Sequence, residues 1–431
     1  MIYLFYLVAI TGLFYFLVAK RRPDAFLVAF FSALVYFLPA FFGYVIEPDP
    51  LNYLIPTPLE DEAYIVYVAV TGLIFGSALV SDALSFKWPR PKTISGENSG
   101  GADIVFIALL ISLAIVVFAG YDPSIHSDDK HEMMEGLPYL HKHLVLLSVF
   151  AALFFFLKKR YVLLALSLVF IGWDVYVGFR SRAAFFLIGA LMIYMYNLGP
   201  VRVLGLWRIN LVALLAGIFM FSYKGVYLIV KRGEYYSAFD RFFSMDGVRE
   251  SVVRSEPFTI QATLNKVMRE EYRIPLESIG EQFLAIMPFS RTFLGFEASG
   301  FNDFFQPDLF PGLTFGMAHN WWAYWYSAIG WAGVLLAIII VLSGCFLVNT
   351  ILGSRSPLVV AVGGSIASIW LFYIHRNDIL FTFGHIFQLV FYFGVLAFSI
   401  MMLHSLLSLA ASSRERCKVV GDKVSGRCCT S

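Results

Sequence analysis

The chain has 431 residues, of which 59% are hydrophobic, 17% aromatic and only 14% charged. So few charged side chains cannot cover a water-soluble domain of this size, and that class is excluded. The formal net charge of +2, without a basic patch interleaved with aromatic residues, gives no sign of a nucleic-acid partner.

Long apolar segments predict an all-α polytopic membrane protein. Because roughly 20 residues are needed to cross about 30 Å of hydrocarbon, we count about eleven spans. They lie at residues 2–19, 25–46, 63–82, 104–120, 143–157, 161–179, 183–198, 209–230, 320–349, 357–374 and 379–407. This pattern predicts an N-terminal transmembrane bundle of about eight helices (1–230), a large loop (231–319), C-terminal transmembrane helices (320–407) and a tail (408–431).

The charges beside these segments predict the orientation of the chain. Basic clusters follow the first span at 20–22, the third at 87–92 and the fifth at 158–160, whereas the loops between them are acidic. Because Lys and Arg favour the cytoplasmic ends of spans, the N-terminus is predicted to lie outside and the tail inside.

The large loop is predicted to contain short helices. Apolar residues at helical spacing, together with Pro257 in a first turn and Pro275 after the last, predict a helix over 256–271. A second helix is expected over 276–286, ended by Pro288. The stretch 294–316, rich in Gly, Pro and Phe, is predicted to be an irregular loop on the membrane surface.

Several arginines lie on the predicted outer side, against the general charge pattern. Arg180 and Arg182 separate two spans, Arg291 lies in the large loop and Arg376 separates the last two spans. Charge at membrane depth is costly and marks function by default, and a guanidinium suits phosphate oxygens. The alternative is that Arg180 and Arg182 only reach lipid headgroups.

Acidic neighbours leave other interpretations of these arginines open. Asp378 could simply neutralise Arg376, since adjacent charged pairs at a hairpin tip are common. Asp174, inside a predicted span, could be a buried partner for an arginine. Arg254, followed by Glu256, is a candidate for the border of an acceptor groove, or it belongs to a solvated, ion-paired face of the loop.

His319 is the candidate catalytic residue, because it opens a predicted span at the outer side. An imidazole at a wet, lipid-proximal position can accept a proton from a hydroxyl group, although a local hydrogen bond at a helix start is the simpler interpretation. An aromatic cluster follows it and suits either sugar stacking or a membrane-interface belt. It comprises Trp321, Trp322, Tyr324, Trp325 and Tyr326.

The layout of nearly the whole chain resembles the O-antigen polymerase and ligase superfamily. The similarity rests on the long outer loop, Arg291 within it, the pair His319-Asn320 opening a span, and Gly330-x-x-Gly333. More narrowly, the chain resembles Wzy-type oligosaccharide repeat-unit polymerases.

The resemblance implies a GT-C-like membrane glycosyltransferase at the periplasmic face of a bacterial inner membrane. Its substrates would be undecaprenyl-diphosphate-linked oligosaccharides among membrane lipids, with a polysaccharide chain-length regulator as a possible partner. By position, Arg180, Arg182, Arg291 and Arg376 match the outward-facing arginines of the family, and His319 matches the histidine of the ligase relatives.

The expected reaction needs no metal and no cofactor, because preorganised cations can stabilise the charge on a leaving diphosphate. Arg180, Arg182 and Arg376 would hold the diphosphate, Arg291 would orient donor or acceptor, and His319 would be the base. The alternatives are an O-antigen ligase, a lipid-linked oligosaccharide flippase or transporter, and a metal-dependent transferase using Asp61 or Asp129.

Overall fold

The computed structural model describes residues 1–49, 54–84, 100–120, 139–198, 201–208, 210–212, 232–244, 255–287, 299–313 and 316–425, and single residues 215, 217 and 229. In this part of the chain the architecture is all-α, apart from one small β-hairpin.

The N-terminal half is a series of apolar helices with one small β-hairpin. The elements are α1 (Ile2–Phe14), a π-helical turn (Tyr15–Ala19), α2 (Ala25–Tyr36), α3 (Pro39–Phe42), β1 (Tyr44–Pro48), β2 (Leu54–Pro58), α4 (Asp61–Ala83), α5 (Gly100–Ala119), α6 (Tyr139–Leu157), α7 (Tyr161–Val177), α8 (Ser181–Asn197) and a 3-10 turn (Val203–Leu206). The two strands pair antiparallel, with Tyr44 opposite Pro58.

In its described residues, the C-terminal half begins with short helices and ends with long apolar ones. The elements are α9 (Tyr235–Phe243), α10 (Glu256–Arg269), α11 (Glu277–Ile286), α12 (Phe301–Leu309), α13 (Trp321–Ile329), α14 (Trp331–Leu352), α15 (Pro357–Ala367), a second π-helical turn (Ser368–Phe372), a 3-10 turn (Tyr373–Arg376) and α16 (Ile379–Ser425).

The described helices confirm the class of helical membrane protein. Five of them are long and apolar enough to cross a bilayer, and four more are apolar but shorter. The five cover Ile2–Ala19, Asp61–Ala83, Trp331–Leu352, Pro357–Arg376 and Ile379–Leu403. A total of about eleven spans stays a prediction. The eighth predicted span, 209–230, lies largely outside the described residues.

Two predicted spans have the wrong boundaries. The span expected over 25–46 ends as a helix at Tyr36, and after the short α3 the backbone turns at Gly43, whose φ of +77° suits glycine, into strand β1. The span expected over 320–349 is two helices that meet at Gly330, whose φ of +66° and ψ of −145° break the helix. Both breaks occur inside continuous apolar sequence, where hydropathy alone gives no boundary.

The two helices predicted in the large loop are confirmed as α10 and α11, whereas the irregular loop expected over 294–316 contains α12. Helix α10 packs against α2, α4, α13 and β1, so it is covered on most sides. Its polar side chains Gln261 and Asn265 are buried, and the Tyr67 hydroxyl donates to Gln261 Oε1 at 3.0 Å. The large loop is thus joined to the helical bundle by specific hydrogen bonds.

Contacts at the start of α1 and α4 define one face of the bundle, which we call the loop face. The amino group of Met1 is 3.6 Å from Asp61 Oδ1, so both helices begin there. The backbone N–H of Glu60 donates to Asn265 Oδ1 at 2.8 Å, which places α10 on the same face.

The other ends of these helices lie on the opposite face of the bundle. Lys20 Nζ lies 3.0 Å from carboxylate oxygens of both Asp24 and Asp82, so α1 and α4 also end together. The end of α14 lies there as well, since Ala25 N–H donates to Asn349 Oδ1 at 2.9 Å and the Tyr196 hydroxyl donates to Asn349 O at 2.9 Å. This grouping of helix ends agrees with the alternation predicted from the loop charges.

Candidate functional site

The centre of the candidate site is a carboxylate held by two arginines that are far apart in sequence. Arg180 Nη2 is 3.2 Å from Glu256 Oε1, and Arg376 Nη1 donates to Glu256 Oε2. Each guanidinium therefore contacts a different oxygen of one carboxylate. Three segments of the chain meet here on the loop face.

Local backbone structure brings each of these side chains to the cluster. Arg180 immediately precedes α8, and Arg376 ends the 3-10 turn that comes after the second π-helical turn. Glu256 is the first residue of α10, followed by Pro257 in the first turn. A helix N-terminus favours a carboxylate, so Glu256 is stabilised there by the backbone as well as by the arginines.

Aromatic rings support Arg376 and fix the direction of the turn before it. The Arg376 guanidinium lies 4.7 Å from the centroid of the Tyr373 ring, a cation-π distance. The preceding residue, His375, is fully buried, stacks on Tyr36 and accepts a hydrogen bond at Nδ1 from Trp322 Nε1 at 3.2 Å. His375 therefore anchors the turn in the core while Arg376 reaches Glu256.

His319 and Asp378 form a second pair close to this cluster. His319 Nδ1 is 3.3 Å from Asp378 Oδ2, and the backbone N–H of Asn302 donates to the same nitrogen at 3.3 Å. Asp378 is held by the backbone N–H groups of Phe301 and Phe381, each at 2.9 Å. The contacts at Nδ1 leave Nε2 as the ring nitrogen that a substrate could use.

Burial lowers the pKa of His319, while the carboxylates of Asp378 and Asp303 act in the opposite direction and Arg376 adds to the lowering. The imidazole is therefore mainly neutral near pH 7. Asp378 and Arg376 are two residues apart in the chain, so the His319 pair and the two-arginine cluster are neighbours.

Asp378 has other partners than the adjacent Arg376, so the expectation of simple neutralisation between these two residues is wrong. Asp378 holds His319 and the start of α12, whereas Arg376 is paired with Glu256.

Arg182 belongs to a separate, buried group. Its Nη1 lies 3.7 Å from Asp174 Oδ2, and His141 Nε2 lies 3.4 Å from Asp174 Oδ1. Asp174 is only 1% exposed, so the prediction that it is a buried partner for an arginine is confirmed. The structure thus places Arg180 and Arg182, two residues apart, in different ion-paired clusters.

The remaining predicted site residues lie outside these clusters or outside the described part of the chain. Arg254 and Arg291, and the alternative metal ligand Asp129, lie outside the described residues. Asp61, the other alternative ligand, lies beside the N-terminal amino group. The aromatic cluster of α13 is buried, with Trp321, Trp322 and Tyr324 inaccessible to solvent, so neither the interface belt nor the sugar platform is correct for these rings.

Glu256 is a site residue that the sequence pattern does not single out. The charge pattern groups it with a solvated face of the loop, and its position just before Pro257 at a helix start is the one available signal. Nothing local indicates that this carboxylate meets arginines 76 and 120 residues away.

Comparison of the chain with protein-family models, with curated proteins and with solved structures gives no match.

Proposed function

We propose that this protein is a GT-C-type membrane glycosyltransferase that polymerises lipid-diphosphate-linked oligosaccharide repeat units. One observation carries the proposal: Arg180 and Arg376, expected from separate segments to bind a diphosphate, converge on one carboxylate at the loop face. Convergence of two guanidinium groups from distant segments gives a preorganised anion-binding site at the end of an apolar bundle.

The chemistry of the reaction calls for such a site. An acceptor hydroxyl attacks the anomeric carbon of the donor, the bond from that carbon to the diphosphate oxygen breaks, and its electron pair remains on the diphosphate. Fixed guanidinium groups stabilise this developing charge in a water-poor environment without reorganisation. Arg180 and Arg376 would perform this role, and no divalent metal is required in the proposed mechanism.

His319 would accept the proton of the attacking hydroxyl. Its two contacts at Nδ1 favour opposite tautomers, because the Asn302 amide needs a lone pair there and the Asp378 carboxylate favours an N–H. In the tautomer held by Asp378, Nε2 carries the lone pair and acts as base. The carboxylate also stabilises the imidazolium that forms when the proton is taken up.

The proposed reaction takes place at the surface of a membrane. The substrate would be oligosaccharide on undecaprenyl diphosphate, so that its lipid lies among the apolar helices while the sugars meet the loop face. We assign that face and the N-terminus to the periplasmic side of a bacterial inner membrane, and the C-terminal tail to the cytoplasm.

The test is polymer formation by purified protein in detergent, supplied with undecaprenyl-diphosphate repeat units. Arg180→Ala and Arg376→Ala are each expected to slow polymer formation about a hundredfold or more, the usual effect of removing a group that stabilises developing negative charge. Arg269→Ala is the matched control, because Arg269 also pairs with a glutamate, Glu47 at 3.1 Å, outside the cluster.

Products and additives in the same assay distinguish the alternatives. A polymer ladder that survives EDTA supports the metal-free mechanism, and a ladder abolished by EDTA contradicts it. Transfer of finished polysaccharide to lipid A core, without ladder formation, would identify a ligase. Movement of the lipid-linked substrate across a vesicle membrane, without transfer, would identify a flippase.

A further inference from the structure

The carboxylate of Glu256 occupies the position between two guanidinium groups where an anionic ligand would bind. One of its oxygens faces Arg180 and the other faces Arg376. A phosphate group bridging these arginines would use the same donors, so the carboxylate and a bound phosphate exclude each other at this position.

We propose that Glu256 is an internal competitor for the two-arginine site, displaced when a diphosphate binds there. The inference takes from the proposed function only that Arg180 and Arg376 receive a diphosphate. It adds that the site selects for highly charged anions, because a ligand must replace a carboxylate that is already in place.

The structure indicates which member of the cluster moves. All three side chains are about equally exposed, 25% for Glu256 and 21% for each arginine, so what distinguishes them is the support around each one. A partly exposed carboxylate can be transferred to water at modest cost. Arg376, in contrast, is stacked on Tyr373 in a turn anchored by the buried His375, and Arg180 lies directly before α8.

Charge explains why a diphosphate would displace the Glu256 carboxylate. Release of the carboxylate leaves the donors that it occupies on Arg180 and Arg376 to the ligand. A diphosphate carries more charge and more acceptor oxygens than a carboxylate, so it gains more from two guanidinium groups. Singly charged anions gain no such advantage and are excluded.

The experiment measures pyrophosphate binding to the full-length protein in detergent by titration calorimetry. Glu256→Gln is expected to tighten binding by about tenfold or more, as for a site that is open about a tenth of the time in the parent protein. The variant should also discriminate less between pyrophosphate and orthophosphate. Glu47→Gln, which removes a carboxylate from the Arg269 pair, should change neither affinity. Adding Arg376→Ala to Glu256→Gln should abolish the gain.

Unchanged or weaker pyrophosphate binding by folded Glu256→Gln protein would overturn the inference, because Glu256 would then only position the arginines. Should this variant not fold, Glu256→Asp keeps the charge on a shorter side chain that cannot reach both guanidinium groups, and it must also bind pyrophosphate more tightly. If Glu256→Gln binds pyrophosphate more tightly but the parent protein forms no polymer, the proposed function alone is contradicted. If the parent protein forms polymer but Glu256→Gln leaves the pyrophosphate affinity unchanged, this inference alone is contradicted.

Discussion

Asp378 and the Asn302 amide act in opposite directions on the proton position of His319. The two carboxylate oxygens of Asp378 are fixed by backbone N–H groups from α12 and α16, so it cannot turn away from the imidazole. A fixed carboxylate beside Nδ1 stabilises the charged ring and favours the tautomer in which Nε2 is free to accept a proton. Burial acts against the charged ring and keeps it neutral near pH 7.

These opposing effects predict the pH dependence of polymer formation. The base must be neutral, so the rate should fall as the pH drops through the lowered pKa of His319. Asp378→Asn removes a carboxylate that raises this pKa, and the acid limb of the pH–rate profile should therefore move to lower pH. The plateau should fall as well, and His319→Ala should lower it by about 10²- to 10⁴-fold.

The control for this profile is Asp308→Asn, which neutralises a carboxylate on α12 that accepts a hydrogen bond from the Tyr272 hydroxyl at 2.9 Å. Its acid limb should coincide with that of the parent protein. A limb that stays in place in Asp378→Asn, or moves to higher pH, would show that another group titrates.

The sequence predicts the individual residues of this site better than their pairing. Arg180, Arg376 and His319 stand out locally, because a charged or titratable side chain next to an apolar span is costly and usually indicates function. The partners depend on how segments far apart in the chain meet, and no local pattern encodes that Asp378 faces His319 while Arg376 faces Glu256.

A glycine in α14 sets the position of the second π-helical turn, which leads into the 3-10 turn that carries Arg376. The backbone of Gly344 is so close to the indole of Trp370 that an added Cβ would overlap the ring. Trp370 lies in the second π-helical turn and donates from Nε1 to Ile340 O at 3.2 Å. Contact between α14 and this turn therefore depends on the missing side chain at residue 344.

Gly344→Ala is expected to lower the free energy of unfolding by about 1–3 kcal/mol, the usual cost of overpacking a filled contact. Polymer formation should fall with it, because the turn and Arg376 must shift. Gly76→Ala in α4 is the matched control, since no atom lies within 4 Å of a Cβ placed there. Thermal unfolding of both variants in detergent gives the comparison, and equal melting temperatures would contradict the prediction.

Helix boundaries show which elements the sequence can predict. Helices α10 and α11 are predictable to within a few residues, because apolar residues at a spacing of 3.6 and flanking prolines are local signals. The breaks at Gly43 and Gly330 lie in uniformly apolar stretches, where periodicity is absent and only the dihedral angles reveal the turn. The burial of α10 against strand β1 and the neighbouring helices could not be predicted from its amphipathic pattern alone.

For the whole molecule, the two faces give a direct test of orientation. We predict that the loop face is periplasmic, so a cysteine at the exposed Glu62 should react with a membrane-impermeant maleimide in intact cells. A cysteine at the exposed Arg21 lies on the opposite face and should react only after permeabilisation. Both variants are made after the four native cysteines have been replaced. The reverse labelling pattern would invert the topology and place the two-arginine cluster in the cytoplasm.

The two π-helical turns have a shared geometric consequence across the bundle. One, Tyr15–Ala19, precedes Lys20 on the opposite face, and the other, Ser368–Phe372, leads to Arg376 on the loop face. Each turn holds about one residue more than an α-helical turn, so the residues after it lie about 100° away from where an uninterrupted α-helix would place them. Both cations meet carboxylates, Lys20 with Asp24 and Asp82, and Arg376 with Glu256. Converting either turn to regular α-helix at unchanged chain length would rotate its cation away from these partners, so the phase of the helix decides whether the charge is paired.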